Sequence, residues 1–147
     1  PDTPVIAFDI DWWARAATQE MVTANKTPNV SLEGFCSPAW LDRHLLPNSF
    51  ILTDCEGYEG ELFTTTHTPA IDSATLLIEL HDEQVPGVGA ALRSRLAASH
   101  SAATVSHVPA EAPPELLEFL TPDEAAAAVR EYRNEQKWVL FTPKVRA

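Results

Sequence analysis

The densest group of reactive side chains in the sequence is the run Asp-Cys-Glu-Gly-Tyr-Glu at positions 54–59. Asp54 and Glu56 are two residues apart, so their carboxylates project to the same side of an extended backbone. Gly57 allows a tight turn directly after them. Two such acids can clamp a substrate amine or hydroxyl, act as a general base, or form half of a metal site. The alternative is that they serve only the loop and cap the helix that follows.

A second pair of polar side chains stands at the end of the apolar segment 74–80. Glu79 and His81 share a face of that segment by the same two-residue period, and a carboxylate in so apolar a strand needs a partner. A single histidine at a strand end is more often structural, but beside Asp54 and Glu56 it is a candidate general base near neutral pH. The four side chains also match the donors that magnesium, manganese or iron accept, although their spacing is not diagnostic of a metal.

A third candidate position follows the first apolar segment of the chain, which ends at Asp9. An acid between a strand and a helix can accept hydrogen bonds from both hydroxyls of a ribose, because a carboxylate offers two oxygens. The alternative is that Asp9 or Asp11 caps the helix that begins at Trp12. The Trp12 indole is a candidate to stack on an adenine ring, whereas Trp13 is expected in the core.

These residues are positioned by segments that alternate between strand and helix patterns. The sequence predicts strands at 4–8, 30–34, 49–54, 74–80, 102–108 and 137–142, and helices at 12–25, 37–46, 58–66, 86–100, 115–120 and 123–132. The order predicts an α/β fold, namely a Rossmann-like three-layer αβα sandwich with a mostly parallel sheet and an antiparallel final strand. In such sheets ligands bind beyond the carboxyl ends of the strands, where the acids and His81 fall.

Two details of the pattern are specific. The near-continuous apolar character of 74–80 is typical of a parallel strand that is covered on both faces. The run Thr121-Pro122-Asp123-Glu124 predicts the start of a helix, with a capping threonine, a proline in the first turn and a glutamate at the third position.

Composition narrows the class of protein. The 147 residues suit one domain, 1–147, and the 45% hydrophobic content allows a core. The net charge of −11 repels phosphate backbones, which argues against nucleic acid and favours a small neutral or cationic substrate, or a protein. The alternative is that the acidity only aids solubility. No apolar run of ~18 residues predicts a membrane span and no signal segment opens the chain, so a cytoplasmic location is expected.

The segment 50–59, Phe-Ile-Leu-Thr-Asp-Cys-Glu-Gly-Tyr-Glu, resembles the Asp-x-Glu-Gly-x-Glu motif of FkbM-type methyltransferases. These are class I S-adenosylmethionine-dependent enzymes. In that group a strand that ends Ile-Glu-x-His follows, as at 78–81 in this sequence. The run 5–11 is similar to the second-strand segment of class I methyltransferases, and 131–133 together with Trp138 is similar to the closing segment of the FkbM group. The resemblance covers the whole chain in order.

The resemblance implies a Rossmann-like methyltransferase that binds S-adenosylmethionine. In the first half of the chain it implies that Asp9 holds the ribose of the cofactor, with Asp11, Trp12 and Cys36 near the adenine; Cys36 occupies a position that is often acidic in the family. It also implies that the family's first strand and glycine-rich cofactor loop precede Pro4. They do not occur in this sequence, so the expectation is either a longer protein or a chain that no longer binds the cofactor.

In the second half, the resemblance implies that Asp54, Glu56, Glu79 and His81 line the pocket of the methyl acceptor. The expected acceptor is an oxygen or nitrogen of a small molecule or sugar-like substrate, which loses its proton to a base as it attacks the sulfonium methyl group. Two other functions remain open. One is a non-catalytic, methyltransferase-like binding module, and the other is a metal-dependent hydrolase that uses the same acid and histidine cluster.

Overall fold

A computed structural model describes residues 3–64, 68–106, 113–130 and 137–144 of the chain. The chain divides into two compact units, Pro1–Leu45 and Leu46–Ala147. Each unit contains strands of its own sheet. The interpretation of 1–147 as a single domain stays a prediction.

The first unit consists of a two-stranded parallel sheet and two helices. Its elements are β1 (Val5–Phe8), α1 (Trp12–Ala24), β2 (Val30–Glu33) and α2 (Pro38–His44). The strands pair in register from Val5 opposite Val30 to Phe8 opposite Glu33. Both helices begin at side-chain caps, Asp11 for α1 and Ser37 for α2, and α2 has a proline in its first turn.

Little of the first unit is withdrawn from solvent. Among its described residues Leu41 is the hydrophobic side chain that is buried, and α1 has no buried residue. The Phe8 ring meets the edge of the Trp40 ring at a centroid distance of 4.7 Å. The described part of the unit therefore has partly buried apolar residues in place of an extended core.

The second unit contains a four-stranded mixed sheet. Its elements are β3 (Phe50–Thr53), α3 (Glu59–Leu62), α4 (Pro69–Ser73), β4 (Thr75–Leu80), α5 (Val88–Leu96), β5 (His100–Ser106), a 3-10 helix (Pro114–Glu118), α6 (Pro122–Ala128) and β6 (Lys137–Pro143). The strand order is β3-β4-β6-β5. β3 is parallel to β4, whereas β6 is antiparallel to both β4 and β5.

The core of the second unit lies along the two central strands. Leu76 and Ile78 of β4 stand opposite Phe141 and Val139 of β6, and all four side chains are buried. Leu92 of α5 is buried as well. Every residue of β4 is buried or partly buried, so both faces of this strand are covered, which accounts for the apolar character of 74–80.

The prediction of a Rossmann-like three-layer sandwich with one mostly parallel sheet is wrong. The strands form two sheets, and two of the four strand pairs are antiparallel. The helix predicted at 58–66 is shorter than expected, since α3 ends at Leu62, and α4 begins separately at its Thr68 cap. Helices of four and five residues cannot cover a sheet as the outer layers of a sandwich do.

Two further predictions concern particular segments. The capping box at Thr121 is confirmed, because its hydroxyl accepts from the Glu124 N–H while the Glu124 carboxylate accepts from the Thr121 N–H. The backbone N–H of Thr121, and after it the Thr121 hydroxyl, donate to the Glu124 carboxylate, and these two hydrogen bonds lower the pKa of Glu124. The closing segment 131–133 lies outside the described residues.

No helix in the described ranges combines the length and apolar character needed to cross a bilayer.

Candidate functional site

The candidate site lies where the two parallel strands of the second unit end. β3 and β4 pair with Thr53 opposite Ile78. Asp54 is the first residue after β3, and His81 is the first residue after β4. Because the strands are parallel neighbours, their carboxyl ends meet at one edge of the sheet, which brings these two side chains together.

The loop after β3 turns through two residues with left-handed backbone. Glu56 has a φ of 53° and Gly57 a φ of 102°. A side chain other than glycine in this region costs roughly 1–2 kcal/mol, so the position of Glu56 is strained. At Gly57 an added Cβ would lie 3.0 Å from Cγ2 of Val85. The Tyr58 N–H donates to the Cys55 carbonyl at 3.1 Å and closes the turn.

Glu59 holds this loop and the histidine with a single carboxylate oxygen. Its Oε1 accepts from the backbone N–H groups of Cys55 at 3.2 Å and Gly57 at 3.3 Å. The same oxygen lies 2.6 Å from Nδ1 of His81. Glu59 is 0% exposed and His81 is 7% exposed. A carboxylate buried in this way needs donors around it, and the loop and the imidazole supply them.

The contact with Glu59 determines which nitrogen of His81 is available for chemistry. A carboxylate accepts, so Nδ1 of His81 donates, and Nε2 of the neutral ring carries a lone pair. That Nε2 lies 3.5 Å from Oδ1 of Asp54 and 3.6 Å from Oε2 of Glu56. Three acceptor atoms thus face one another and repel unless a positive charge lies among them. A bound cation, or the proton that Nε2 takes from a reacting group, supplies such a charge.

The ligand atoms of Asp54, Glu56 and His81 all lie within 4.8 Å of one another. Asp54 and Glu56 are exposed, so the group is open to solvent on the carboxylate side while the imidazole is enclosed. This arrangement can accept a proton from a hydroxyl or amine, or it can bind a divalent cation.

Glu79 is not in this group. It is buried within β4, opposite Trp138 of β6, whereas His81 lies beyond the end of the strand. The backbone turns at His81, whose carbonyl accepts from the N–H groups of Gln84 and Val85. The two-residue period that predicts a common face holds only within a strand, and β4 ends at Leu80. A catalytic role for Glu79 stays a prediction.

Glu59 belongs to the motif at 54–59, but the sequence does not indicate a role for it in the site. The structure shows it as the residue that orients the histidine, 22 positions away in sequence. The spacing of the apolar residues could have indicated its burial. Leu62 and Phe63 stand three and four residues after Glu59, and residues at this spacing share one face of a helix, which here faces the core. Its partner could not be identified from spacing alone.

In the first unit, the two acids act on the local backbone. Oδ1 of Asp9 accepts from the Asp11 N–H at 2.8 Å, and Oδ1 of Asp11 accepts from the Trp13 N–H at 2.8 Å. Asp11 is thus the cap of α1. Trp12 is 70% exposed, and Trp13, expected in the core, is exposed as well.

Asp9 and Trp12 are compatible with the ribose and adenine of a nucleoside cofactor. Asp9 is exposed at the carboxyl end of β1, and one hydrogen bond leaves most of the acceptor capacity of its carboxylate for a ligand. The exposed Trp12 indole offers a stacking surface three residues later. Their roles in binding the cofactor stay predictions.

Cys36 is partly buried after β2, and this burial raises the pKa of its thiol from 9.0 to about 11. The thiol is therefore neutral near pH 7 and is neither a nucleophile nor a ready metal ligand. A neutral thiol can only pack against an adenine. Its sulfur accepts hydrogen bonds only weakly, so it would not replace the acid that often stands at this position.

Comparison of the chain with known proteins gives no match among family models, curated proteins or solved structures.

Proposed function

We propose that this protein is an S-adenosylmethionine-dependent methyltransferase that acts on an oxygen or nitrogen of a small molecule or sugar-like substrate. The observation that carries the proposal is the state of His81. It is buried, its Nδ1 is held by Glu59, and its Nε2 points to Asp54 and Glu56 at the open end of two parallel strands. Both segments that resemble FkbM-type methyltransferases contribute, because Asp54, Glu56 and Glu59 belong to the motif at 50–59 and His81 ends the segment 78–81.

Methyl transfer to oxygen or nitrogen needs a base that is already oriented. A hydroxyl group loses its proton as an oxygen lone pair forms the new bond to carbon, whereas an ammonium group must lose a proton before its nitrogen has a lone pair to attack with. An imidazole with a fixed ring and a free Nε2 accepts the proton in either case. The carboxylate of Glu59 fixes the tautomer, as the acid does in other acid-histidine pairs. Once the imidazole is charged, Asp54 and Glu56 stabilise it from the other side.

The two exposed acids also favour a class of acceptor. Their carboxylates accept hydrogen bonds, so they bind hydroxyl or ammonium groups and repel phosphates or carboxylates. The net charge of −11 acts in the same direction at longer range. A polyhydroxylated or amino-substituted small molecule fits these charges, and a nucleic acid does not.

S-adenosylmethionine, when bound, supplies the electrophilic methyl group. In this chain Asp9 would accept hydrogen bonds from the ribose hydroxyls, and Trp12 would stack on the adenine. Asp11 supports both residues by capping α1, and Cys36 contributes an uncharged thiol. A cytoplasmic location accords with these small-molecule substrates and stays part of the proposal.

The experiment that tests the proposal is calorimetric titration of this chain with S-adenosylhomocysteine. We expect micromolar binding that weakens at least tenfold in Asp9→Ala, since the ribose loses its acceptor. Asp42→Ala, which removes an exposed acid of α2 in the same unit, is the matched control and should leave the affinity unchanged. Equal affinity in Asp9→Ala would overturn the role of Asp9. Absence of binding in the unmodified chain would overturn the methyltransferase and favour a non-catalytic binding module.

A further inference from the structure

We infer that Asp54, Glu56 and His81 form a site for a divalent transition ion, and that Zn²⁺ is the ion that fits it best. The inference does not depend on methyl transfer, because it follows from the positions of three ligand atoms and of the carboxylate behind one of them. In the proposed methyl transfer the same Nε2 of His81 accepts a proton, and it can do so only in molecules in which no cation is bound there.

The spacing of the atoms is the first argument. A charge-assisted hydrogen bond between imidazole and carboxylate is about 2.7–2.9 Å long. The distances from His81 Nε2 to Asp54 Oδ1 and Glu56 Oε2 are 3.5 Å and 3.6 Å. Two ligands of a tetrahedral zinc ion, each about 2.0–2.1 Å from the metal, are about 3.3 Å apart. The observed spacing is closer to the edge of a coordination tetrahedron than to a direct hydrogen bond.

The tautomer of His81 is the second argument, and it is independent of the first. In metal sites the ligating histidine donates its other ring N–H to a carboxylate, which fixes the ring and increases the basicity of the ligating nitrogen. Nδ1 of His81 lies 2.6 Å from Oε1 of Glu59, and Glu59 is fully buried. This leaves Nε2 as the lone-pair atom, directed toward the two exposed acids.

The charge balance is the third argument. Within the described residues, the ion pairs of Asp54, Glu56 and Glu59 are all with His81. Oε2 of Glu59 is buried and has no hydrogen-bond partner among the residues that the structure describes. Three carboxylates around one imidazole leave an excess of negative charge in a partly enclosed place. A divalent cation on Nε2 offsets it and draws the Nδ1 proton toward Glu59.

The donor set selects the class of ion. One imidazole nitrogen and two carboxylate oxygens suit Zn²⁺, whereas Mg²⁺ and Ca²⁺ prefer sites built from oxygen alone. Three protein ligands leave a fourth position, which is open to solvent because Asp54 and Glu56 are exposed. An ion held in this way can polarise a hydroxyl group or a water molecule at that position.

His100 shows what a buried structural histidine looks like in the same unit. Its Nε2 donates to the Ala74 carbonyl at 2.9 Å, and its Nδ1 is 2.8 Å from the Ser99 hydroxyl. Both ring nitrogens are therefore engaged by neutral protein groups. His81 differs in that one nitrogen is held and the other faces carboxylates, which is the arrangement of a ligand.

The test is calorimetric titration of the chelator-treated chain with Zn²⁺, carried out on the unmodified protein and on exposed-ligand variants. We expect one Zn²⁺ per chain, and at least tenfold weaker binding in Asp54→Asn and in Glu56→Gln. These variants keep the size of the side chain at exposed positions, so the fold is retained; circular dichroism verifies it. His44→Gln, which removes an exposed histidine of α2, is the control and should bind as the unmodified chain does.

Three results would overturn the inference: no Zn²⁺ binding by the unmodified chain, unchanged affinity in both acid variants, or tighter binding of Mg²⁺ than of Zn²⁺. Glu59→Gln tests the residue that orients His81 without changing any of the three ligands. We expect a 10–100-fold loss of Zn²⁺ affinity in this variant. Unchanged affinity in Glu59→Gln would contradict its role in orienting His81. Failure of Zn²⁺ binding leaves the S-adenosylhomocysteine result untouched, and the reverse holds, so the two proposals fail separately.

Discussion

The two units of this chain place acids in the same position and use them differently. In both, a parallel pair of strands is followed by an acidic residue, Asp9 after β1 and Asp54 after β3. Asp9 accepts from a backbone N–H two residues later, whereas Asp54 faces an imidazole from the neighbouring strand. An acid after a strand becomes a candidate for chemistry where the adjacent strand brings a partner to the same edge. In the first unit Asp9 contacts the local backbone instead, which leaves acceptor capacity for a ligand but brings no imidazole to it.

The units differ in burial for a related reason. β4 lies between β3 and β6, and its Ile78 is 0% exposed. β1 has one neighbour, and its Ile6 is 44% exposed. A two-stranded sheet is marginally stable in water because it cannot enclose a core. The second unit can therefore bury an acid and a histidine in place, which the first unit cannot do.

The largest effect is expected from replacing the same residue type in the two sheets. Ile78→Ala should lower the free energy of unfolding of the second unit by about 2–5 kcal/mol, because it leaves a cavity between β4 and its neighbours. Ile6→Ala should cost about 1 kcal/mol, because much of that side chain already contacts water. Native-state hydrogen exchange of the β4 and β1 amides measures the two effects separately.

Should Ile78→Ala not fold, Ile78→Val takes its place, with an expected loss of about 1 kcal/mol. A loss at Ile6 as large as that at Ile78 would contradict the difference in burial between the units.

The two units are also expected to respond with opposite sign to a methyl group added at glycine. A Cβ at Gly89 would lie 2.7 Å from Oδ2 of Asp82 and 2.8 Å from Cδ1 of Leu80. Asp82 is not free to move, because its Oδ1 accepts from the N–H groups of Gly87 and Gly89. Overpacking of about 1–3 kcal/mol should outweigh the gain in helix propensity of about 1 kcal/mol, so Gly89→Ala is destabilising.

Gly34 is the matched position in the first unit. The nearest atom to a Cβ there is 3.9 Å away, so Gly34→Ala should be neutral or stabilising by about 0.4–1 kcal/mol. Thermal unfolding of both variants measures the pair. Stabilisation by Gly89→Ala would show that the entry to α5 is looser than its contacts indicate.

Much of the secondary structure follows from the sequence, but the sheets do not. The caps at Asp11, Ser37 and Thr121 and the apolar run of β4 are local signals, and each places an element close to where the structure has it. Strand pairing is not local. The final strand was expected to be antiparallel, and β6 is antiparallel to both of its neighbours. The weakly apolar segment of β5 gives no indication that β6 lies between it and β4, and the alternation of elements favoured one mostly parallel sheet.

The site shows the same limit. Asp54, Glu56 and His81 could be brought together from the sequence, because the ends of two adjacent parallel strands meet. The two-residue period of a strand grouped Glu79 with His81, but this period holds only as far as Leu80, where β4 ends. Glu59 was given no role because its contact with His81 depends on the turn between β3 and α3. That turn needs Glu56 at positive φ, which no residue preference predicts for glutamate.

The strained turn gives a third comparison, between Glu56 and Lys26, which both have a φ of 53°. Glycine relieves the strain at either position, so Lys26→Gly and Glu56→Gly should each stabilise the fold by about 1 kcal/mol. They should differ in Zn²⁺ affinity, which falls at least tenfold in Glu56→Gly and stays unchanged in Lys26→Gly. Denaturant unfolding and Zn²⁺ calorimetry on the same samples measure both quantities.

A stabilised Glu56→Gly that still binds Zn²⁺ with full affinity would show that the strain at position 56 does not serve the cluster. Destabilisation by the same change would show instead that the carboxylate contributes more to the fold than its backbone costs.

The smallest effect concerns the reactivity of a thiol. Burial raises the pKa of Cys36 from 9.0 to about 11, so its thiolate forms only as the pH rises through that value. At pH 8 the thiolate fraction falls about 100-fold relative to an ordinary thiol, and the higher nucleophilicity of the more basic thiolate restores roughly tenfold of this. In Cys55→Ala, alkylation of folded Cys36 should therefore be about tenfold slower than in the same chain unfolded by denaturant.

The alkylation rate of the folded chain should continue to increase up to about pH 11, while the rate of the unfolded chain levels off above 9.0. Equal rates in the two states would mean that the first unit does not enclose Cys36 in solution, and the contrast between the units would then be one of folding as well as of burial.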